Sequence, residues 1–251
     1  MGDADRPVAL VTGGTHRVGA SISTSLHGTH DLIVHSRVPN PRATEFVDGL
    51  NRRRPASARL VTADLDSAGA LYRLAAEVGP RLDVLIHNAS RFDSCGDTFD
   101  AAWAESLTRH MATNVAAPVL LTHALEDALR TTAARCQHPT LVVWLLDTRA
   151  DGVFPKHSAY SLSRAAGGAA VQTLAHNLAP DVRVVGIAPG TVLHSDRPLK
   201  AISEETQKNQ ALTGPYGAPA DIVRAIEFAR TAHFLNATII SVDGGRSRWR
   251  T

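Results

Sequence analysis

The segment Thr12-Gly13-Gly14-Thr15-His16-Arg17-Val18-Gly19 follows the apolar run Val8-Ala9-Leu10-Val11 and precedes an amphipathic stretch marked by Ile22 and Leu26. A strand, a glycine-rich turn and a helix in that order suit a pyrophosphate: glycine lets the backbone come close, and the first amides of a helix attract negative charge. A second run, Asp31-Leu32-Ile33-Val34, leads into His35-Ser36-Arg37. NAD-binding folds usually carry an acidic residue there for the adenosine ribose hydroxyl. This chain has a cation instead, and Arg37, with Arg17 and the donor Ser36, would suit a ribose 2′-phosphate through charge-assisted, bidentate hydrogen bonds. The expected cofactor is therefore NADPH/NADP, held by Gly13, Thr15, His16, Arg17, Val18, Gly19, His35, Ser36 and Arg37. A plain structural turn and a solvated arginine are the alternative readings of these two segments.

The elements that must position such groups are legible as alternation. Beyond the two runs already named, Arg59-Leu60-Val61, Val84-Leu85-Ile86, Leu141-Val142-Val143-Trp144-Leu145, Val182-Arg183-Val184-Val185-Gly186-Ile187 and Thr238-Ile239-Ile240-Ser241 read as strands. They are mostly apolar with little alternation, as strands buried on both faces are. Between them lie segments suited to crossover helices, at 17–28, 41–53, 67–78, 100–131, 158–178 and 219–231. Pro39-Asn40-Pro41 reads as a helix entry. The pattern predicts one α/β domain over residues 1–251, a doubly wound parallel sheet of about seven strands with helices on both faces. In such a sheet, ligands bind beyond the carboxyl ends of the strands.

Composition narrows the function classes. The chain has 251 residues, 44% of them hydrophobic, and a formal net charge of +2. Its arginines are dispersed, which argues against nucleic acid as a partner. No apolar run reaches membrane-spanning length and the first residues, MGDADRPVAL, lack the features of a signal peptide, so a cytoplasmic location without membrane attachment is expected. Cys95 and Cys136 stand far apart without metal-ligand spacing. The histidines form no ligand motif either, and no metal site is expected. Only three lysines occur, Lys156, Lys200 and Lys208.

Taken in order, the Thr-Gly-x-x-x-Arg-x-Gly turn, Asp64-Leu65, Asn88-Ala89, Asn114, Tyr160, Pro189-Gly190 and Asp243-Gly244-Gly245 span nearly the whole chain. The set resembles the short-chain dehydrogenase/reductase family. That resemblance implies that Asp64 and Leu65 sit near the adenine, Asn88, Ala89 and Ser90 beside the cofactor ribose, and Pro189, Gly190, Thr191 and Val192 along the nicotinamide. It also implies a carbonyl or imine reductase with Asn114 and Tyr160 in the catalytic set, and a homotetramer packed through the helices at 100–131 and 158–178.

The family's Tyr-x-x-x-Lys reads Tyr160-Ser161-Leu162-Ser163-Arg164 here. Residues four apart share a helix face, so Arg164 can place its charge beside Tyr160 and is expected to lower the phenol pKa from about 10. A guanidinium does not titrate as an ammonium does and fits ribose hydroxyls differently, so the exchange is not conservative. Thirteen residues before Tyr160, where the family usually has serine, stands Asp147, able to accept or relay a proton. Aspartate there, Arg17 in the turn and the run Lys156-His157-Ser158-Ala159-Tyr160 are similar to the pteridine reductase branch, including its dihydromonapterin and dihydrofolate reductases. In that branch a phenylalanine stacks the pterin against the nicotinamide, the role Phe92 would take in Asn88-Ala89-Ser90-Arg91-Phe92, with core anchoring as its other reading. The implied substrate site is Arg17, Ser90, Phe92, Asp147 and Tyr160, under a lid at 191–216. The expected reaction is NADPH-dependent hydride transfer to a C=N bond of a pterin-like or folate-like small molecule. Reduction of another ketone or cyclic imine, and a cofactor-binding protein with little turnover, remain the alternatives.

Overall fold

A computed structural model describes residues 6–96, 98–148, 156–192, 211–213 and 216–248. Seven parallel strands form one sheet in the order β3-β2-β1-β4-β5-β6-β7. They are β1 (Val8–Val11), β2 (Asp31–Ser36), β3 (Ala58–Thr62), β4 (Val84–His87), β5 (Thr140–Leu145), β6 (Val182–Pro189) and β7 (Thr238–Val242). Each expected strand is present, and most run one or two residues further than the apolar runs that mark them.

Successive residues face opposite cores, which explains the unbroken apolar character of the central strands. Leu10, Leu85, Val142 and Trp144 pack on one side with Leu71, Leu121 and Val171. Ala9, Val11, Ile86 and Val143 pack on the other with Ile22, Val47 and Ile222. The helices covering these faces are α1 (Arg17–Leu26), α2 (Pro41–Arg53), α3 (Ala68–Val78), α4 (Ala101–Met111), α5 (Ala117–Ala124), α6 (Glu126–Cys136), α7 (Ser158–Leu178) and α8 (Pro219–Thr231).

Several helices begin where side-chain oxygens can satisfy the first orphan amides. Asn40 Oδ1 accepts from Ala43 N at 2.8 Å, with Pro41 at the first helical position. Asp100 Oδ1 accepts from Trp103 N at 2.9 Å. The expected helix at 100–131 is interrupted instead: a π-helical turn, Ala112–Ala116, separates α4 from α5, and a second break at Leu125 separates α5 from α6. Pro118 has no amide hydrogen to give the carbonyl four residues back, that of Asn114, so regular α-helical bonding cannot run through this point.

The chain builds the sheet outward from β1 to β3, then crosses to β4 on the other side of β1. The loops after β1 and β4 therefore diverge at the carboxyl edge and leave a crevice between them. The turn at 12–19 and the loop at 88–96 border it.

Candidate active site

The turn after β1 is held from below by the buried Thr12 and the half-buried Asn88. The Thr12 hydroxyl donates to Ile86 O and accepts from the amides of Asn88 and Ala89 at 3.0 and 3.1 Å. Asn88 Nδ2 donates to Thr12 O and Gly13 O at 2.9 and 3.0 Å. Gly13 has φ +61°, a left-handed conformation that glycine adopts without cost. A Cβ at Gly19 would lie 2.2 Å from Gly13 O, so only glycine lets α1 close onto the turn. These contacts place the start of α1 above β1, and no side chain caps that start.

His35 is 1% exposed and shapes the turn from underneath. Its Nδ1 accepts from Gly13 N at 3.1 Å, and its Nε2 donates to Ala63 O at 2.9 Å. Burial lowers its pKa, favouring the neutral ring that this pairing needs. Ser36 is also committed internally: its hydroxyl donates to Val38 O at 3.0 Å and accepts from Asn40 Nδ2 at 3.1 Å. Both side chains thus bond within the chain, as a polar group buried at a strand end must find a partner. Thr15 and Val18 are half-buried, whereas His16, Arg17 and Arg37 are exposed at the crevice side of β1 and β2. Arg17 opens α1 with φ +50°. Leu65 is buried after β3, while Asp64 is exposed and accepts from Asp66 N at 3.1 Å.

Across the crevice, β5 delivers Asp147 and α7 delivers Tyr160 and Arg164. The Tyr160 hydroxyl donates to Asp147 Oδ2 at 2.8 Å. The Arg164 Cζ lies 5.0 Å from the Tyr160 ring centroid, and its Nη1 donates to Leu145 O at 3.1 Å. Tyr160 is 5% exposed and Arg164 4%. The expected lowering of the phenol pKa is overturned: burial pushes Tyr160 up to about 12, Arg164 opposes the rise, and Asp147 adds to it. Desolvation of a phenolate outweighs the nearby cation. The Arg164 Nε is buried with no hydrogen-bond partner.

Asn114 lies buried in the π-helical turn. Its Oδ1 accepts from Arg91 N at 2.7 Å, and its Nδ2 donates to Arg91 O and Ser163 Oγ at 3.0 and 2.9 Å. Ser163 Oγ in turn donates to Tyr160 O at 2.7 Å. Asn114 thus joins the loop after β4 to α7. Arg91 extends that joint through ion pairs with Asp66 and Asp93 at 3.0 and 2.9 Å, a network that local spacing does not reveal.

Phe92 stands beside Tyr160 with centroids 4.7 Å apart in an edge-on arrangement, and Ser90 is exposed on the same loop. Beyond β6, Gly190 N donates to Val242 O at 2.9 Å, and the Thr191 hydroxyl accepts from Arg246 Nη1 at 2.8 Å. Gly190, Thr191 and Val192 line a cavity of about 460 Å³ together with Ala211, Thr213 and Tyr216. Pro189 ends β6 and accepts from the Thr148 hydroxyl at 3.3 Å. Most of the expected lid at 191–216 lies outside the described residues. Among the described residues no helix is long and apolar enough to cross a membrane, and no cluster of three or more potential metal ligands occurs.

The donor set fits a nicotinamide dinucleotide: an uncapped helix start for the pyrophosphate, exposed guanidinium groups at Arg17 and Arg37, and a buried Nε–H of Arg164 without a partner.

A family model described as enoyl-(acyl carrier protein) reductase matches residues 17–247. The chain is similar to dihydromonapterin reductase of Enterobacter sp. (strain 638), 29% identical over 253 residues, covering 98% of this chain and 99% of that protein. It is also similar to dihydromonapterin reductase of Klebsiella pneumoniae subsp. pneumoniae, 29% identical over 245 residues and 96% of each chain. The Citrobacter koseri protein of the same name is 28% identical over 241 residues, 94% of this chain and 95% of that one.

Proposed function

This chain belongs to the short-chain dehydrogenase/reductase family, and we propose that it is an NADPH-dependent reductase of a pterin-like or folate-like heterocycle, acting at a C=N bond. The observation that carries this reading is the 2.8 Å hydrogen bond from the Tyr160 hydroxyl to Asp147. A phenol whose pKa is pushed up to about 12 stays protonated through the neutral range, the form a proton donor requires.

When bound, the reduced nicotinamide supplies the hydride. Tyr160 gives its proton to the ring nitrogen, Arg164 offsets the negative charge that develops on the phenol oxygen, and Asp147 returns a proton drawn from solvent. Arg17 and Arg37 favour the 2′-phosphate of NADPH over the bare ribose of NADH. Pro189, Gly190, Thr191 and Val192 border the nicotinamide in this reading, and Asn88, Ala89 and Ser90 the ribose. One domain, a cytoplasmic location and a homotetramer joined through α4–α6 and α7 belong to the same proposal; sedimentation as a monomer would remove its last part.

The test follows oxidation of NADPH and of NADH with dihydropterins, dihydrofolate, and a panel of ketones and cyclic imines, for the wild type and Tyr160→Phe. Turnover of dihydropterins with NADPH preferred, lost by at least about a hundredfold in Tyr160→Phe, is expected. A Tyr160→Phe rate equal to wild type rules out the mechanism. Turnover of ketones alone rules out the substrate class.

A further inference from the structure

The loop after β4 carries Phe92, a residue 46% exposed. Its pose is nevertheless fixed from two sides. The His157 imidazole lies flat against it, with centroids 4.5 Å apart and planes 6° from parallel. Tyr160 meets it almost at right angles. His157 also donates its Nδ1–H to Asp93 O at 3.2 Å, while Asp93 N donates to His110 Nε2 at 3.3 Å. The peptide groups next to Phe92 are therefore gripped by two histidines, one just before α7 and one from α4. Lys156 O adds a third tie, accepting from Cys95 N at 2.8 Å and Ser94 Oγ at 3.1 Å.

An exposed phenylalanine on a loop ordinarily samples several rotamers, and ordering it on binding opposes affinity. Here the ordering is already in place, because the stack sets the ring plane and the Asp93 bond sets the backbone beneath it. We infer that His157 is a positioning residue for substrate: it holds Phe92 so that a flat heterocyclic ring can lie against it beside the Tyr160 hydroxyl. The inference rests on the proposed function only in taking the substrate to be planar. His157 does not reach the reacting atoms in this account, so it acts on binding of the ring and not on proton or hydride transfer. The ring preference of the site is set in part by a residue that touches Phe92 and not the substrate.

The test compares His157→Ala, His157→Phe and the wild type in steady-state turnover and in thermal unfolding. Dihydropterin is the substrate or, should it not be turned over, the planar cyclic imine that is. His157→Ala is expected to raise KM about three- to tenfold, the range of one aromatic pair, with kcat within about twofold. His157→Phe, which keeps the stack, is expected to recover most of the loss, and for an aliphatic ketone KM should not change. Equal KM in His157→Ala and the wild type for the planar substrate overturns the inference, as does a loss that His157→Phe fails to recover while its thermal midpoint matches the wild type. Turnover of no planar substrate at all overturns it too. Absence of dihydropterin turnover, with the expected His157→Ala effect on another planar imine, would remove the pterin reading and leave the role of His157 standing.

Discussion

The Tyr160 hydroxyl donates to Asp147 Oδ2 across 2.8 Å inside a site where the phenol is almost fully buried. A buried acid beside a carboxylate keeps its proton, and burial is the larger reason. The folded pKa of about 12 stands above the unfolded value of 10.0. Below pH 10 both states hold the proton and the native state has the full benefit. Between pH 10 and 12 the unfolded chain releases it first, so stability falls across that window, by roughly 3 kcal/mol for a shift of this size. Tyr160→Phe has no such proton, and its stability should decline less steeply from pH 10 to 12. Denaturant unfolding at stepped pH measures this without any substrate. Parallel curves for the two proteins would refute the assignment.

Arg164 holds its charge near the Tyr160 ring while bonded to Leu145 O at 3.1 Å. Arg164→Lys keeps a cation but loses the planar group, and the Leu145 carbonyl loses its donor, a destabilisation of about 1 kcal/mol. An ammonium titrates near about 10.4, whereas a guanidinium does not titrate in the accessible range. Burial lowers an ammonium pKa further, so the kcat/KM of Arg164→Lys should acquire a downward limb at or below pH 10 that the wild type lacks. Arg164→Gln, with no charge at all, should lose roughly tenfold or more at every pH. A wild-type profile that already falls near pH 10 would count against the role given to the guanidinium.

Five histidines among the described residues, His27, His30, His35, His87 and His110, are buried with lowered pKa values and make the fold sensitive to acid. Burial holds His30 down to about 4, with Arg230 reinforcing it, and His87 down to about 3, and it lowers His35 as well. In the unfolded chain each takes up a proton near 6.5. Their contribution is complete above that pH and is lost as pH falls from 6.5 towards 4 and then 3. His87 bonds Thr122 Oγ1 at 2.8 Å, a contact an amide can also make. His87→Asn should thus unfold at a lower pH than the wild type and show a shallower dependence between pH 6 and 4. Circular dichroism during acid titration would decide this, and an unchanged midpoint would contradict it.

The sheet was open to reading from the chain because strands buried on both faces leave unbroken apolar runs such as Leu141–Leu145, with no need to know what they touch. The two breaks inside 100–131 were not, since apolar spacing continues across them and the missing amide of Pro118 accounts for the first alone. At the site, Tyr160, Asp147 and Arg164 follow from their places after β5 and on one face of α7. The commitments of Ser36 to Val38 and of His35 to Gly13 and Ala63 were hidden, because a side chain's partner depends on how the backbone turns. The role of His157 was hidden for a related reason: its run with Tyr160 is recognisable, but its stack on Phe92 joins residues 65 positions apart. Thr12 likewise ties β1 to the loop after β4 through contacts more than 70 residues distant.

Arg17 occupies φ +50°, where a residue with a Cβ is strained by about 1 kcal/mol and glycine is not. A strained backbone kept at a cationic residue at the mouth of the crevice, at the start of an uncapped helix, points to a role in binding an anion. Arg17→Gly should leave the thermal midpoint unchanged or raise it by a few degrees, since the backbone relaxes, and yet weaken NADPH binding about tenfold while weakening NADH binding much less. Arg37→Asp should go further, reversing the preference between the two, because a carboxylate repels a 2′-phosphate and accepts from a ribose hydroxyl. Both constants are measurable by titrating cofactor fluorescence. If Arg17→Gly binds NADPH as the wild type does and is less stable, then Arg17 serves the turn itself and the phosphate falls to Arg37 alone.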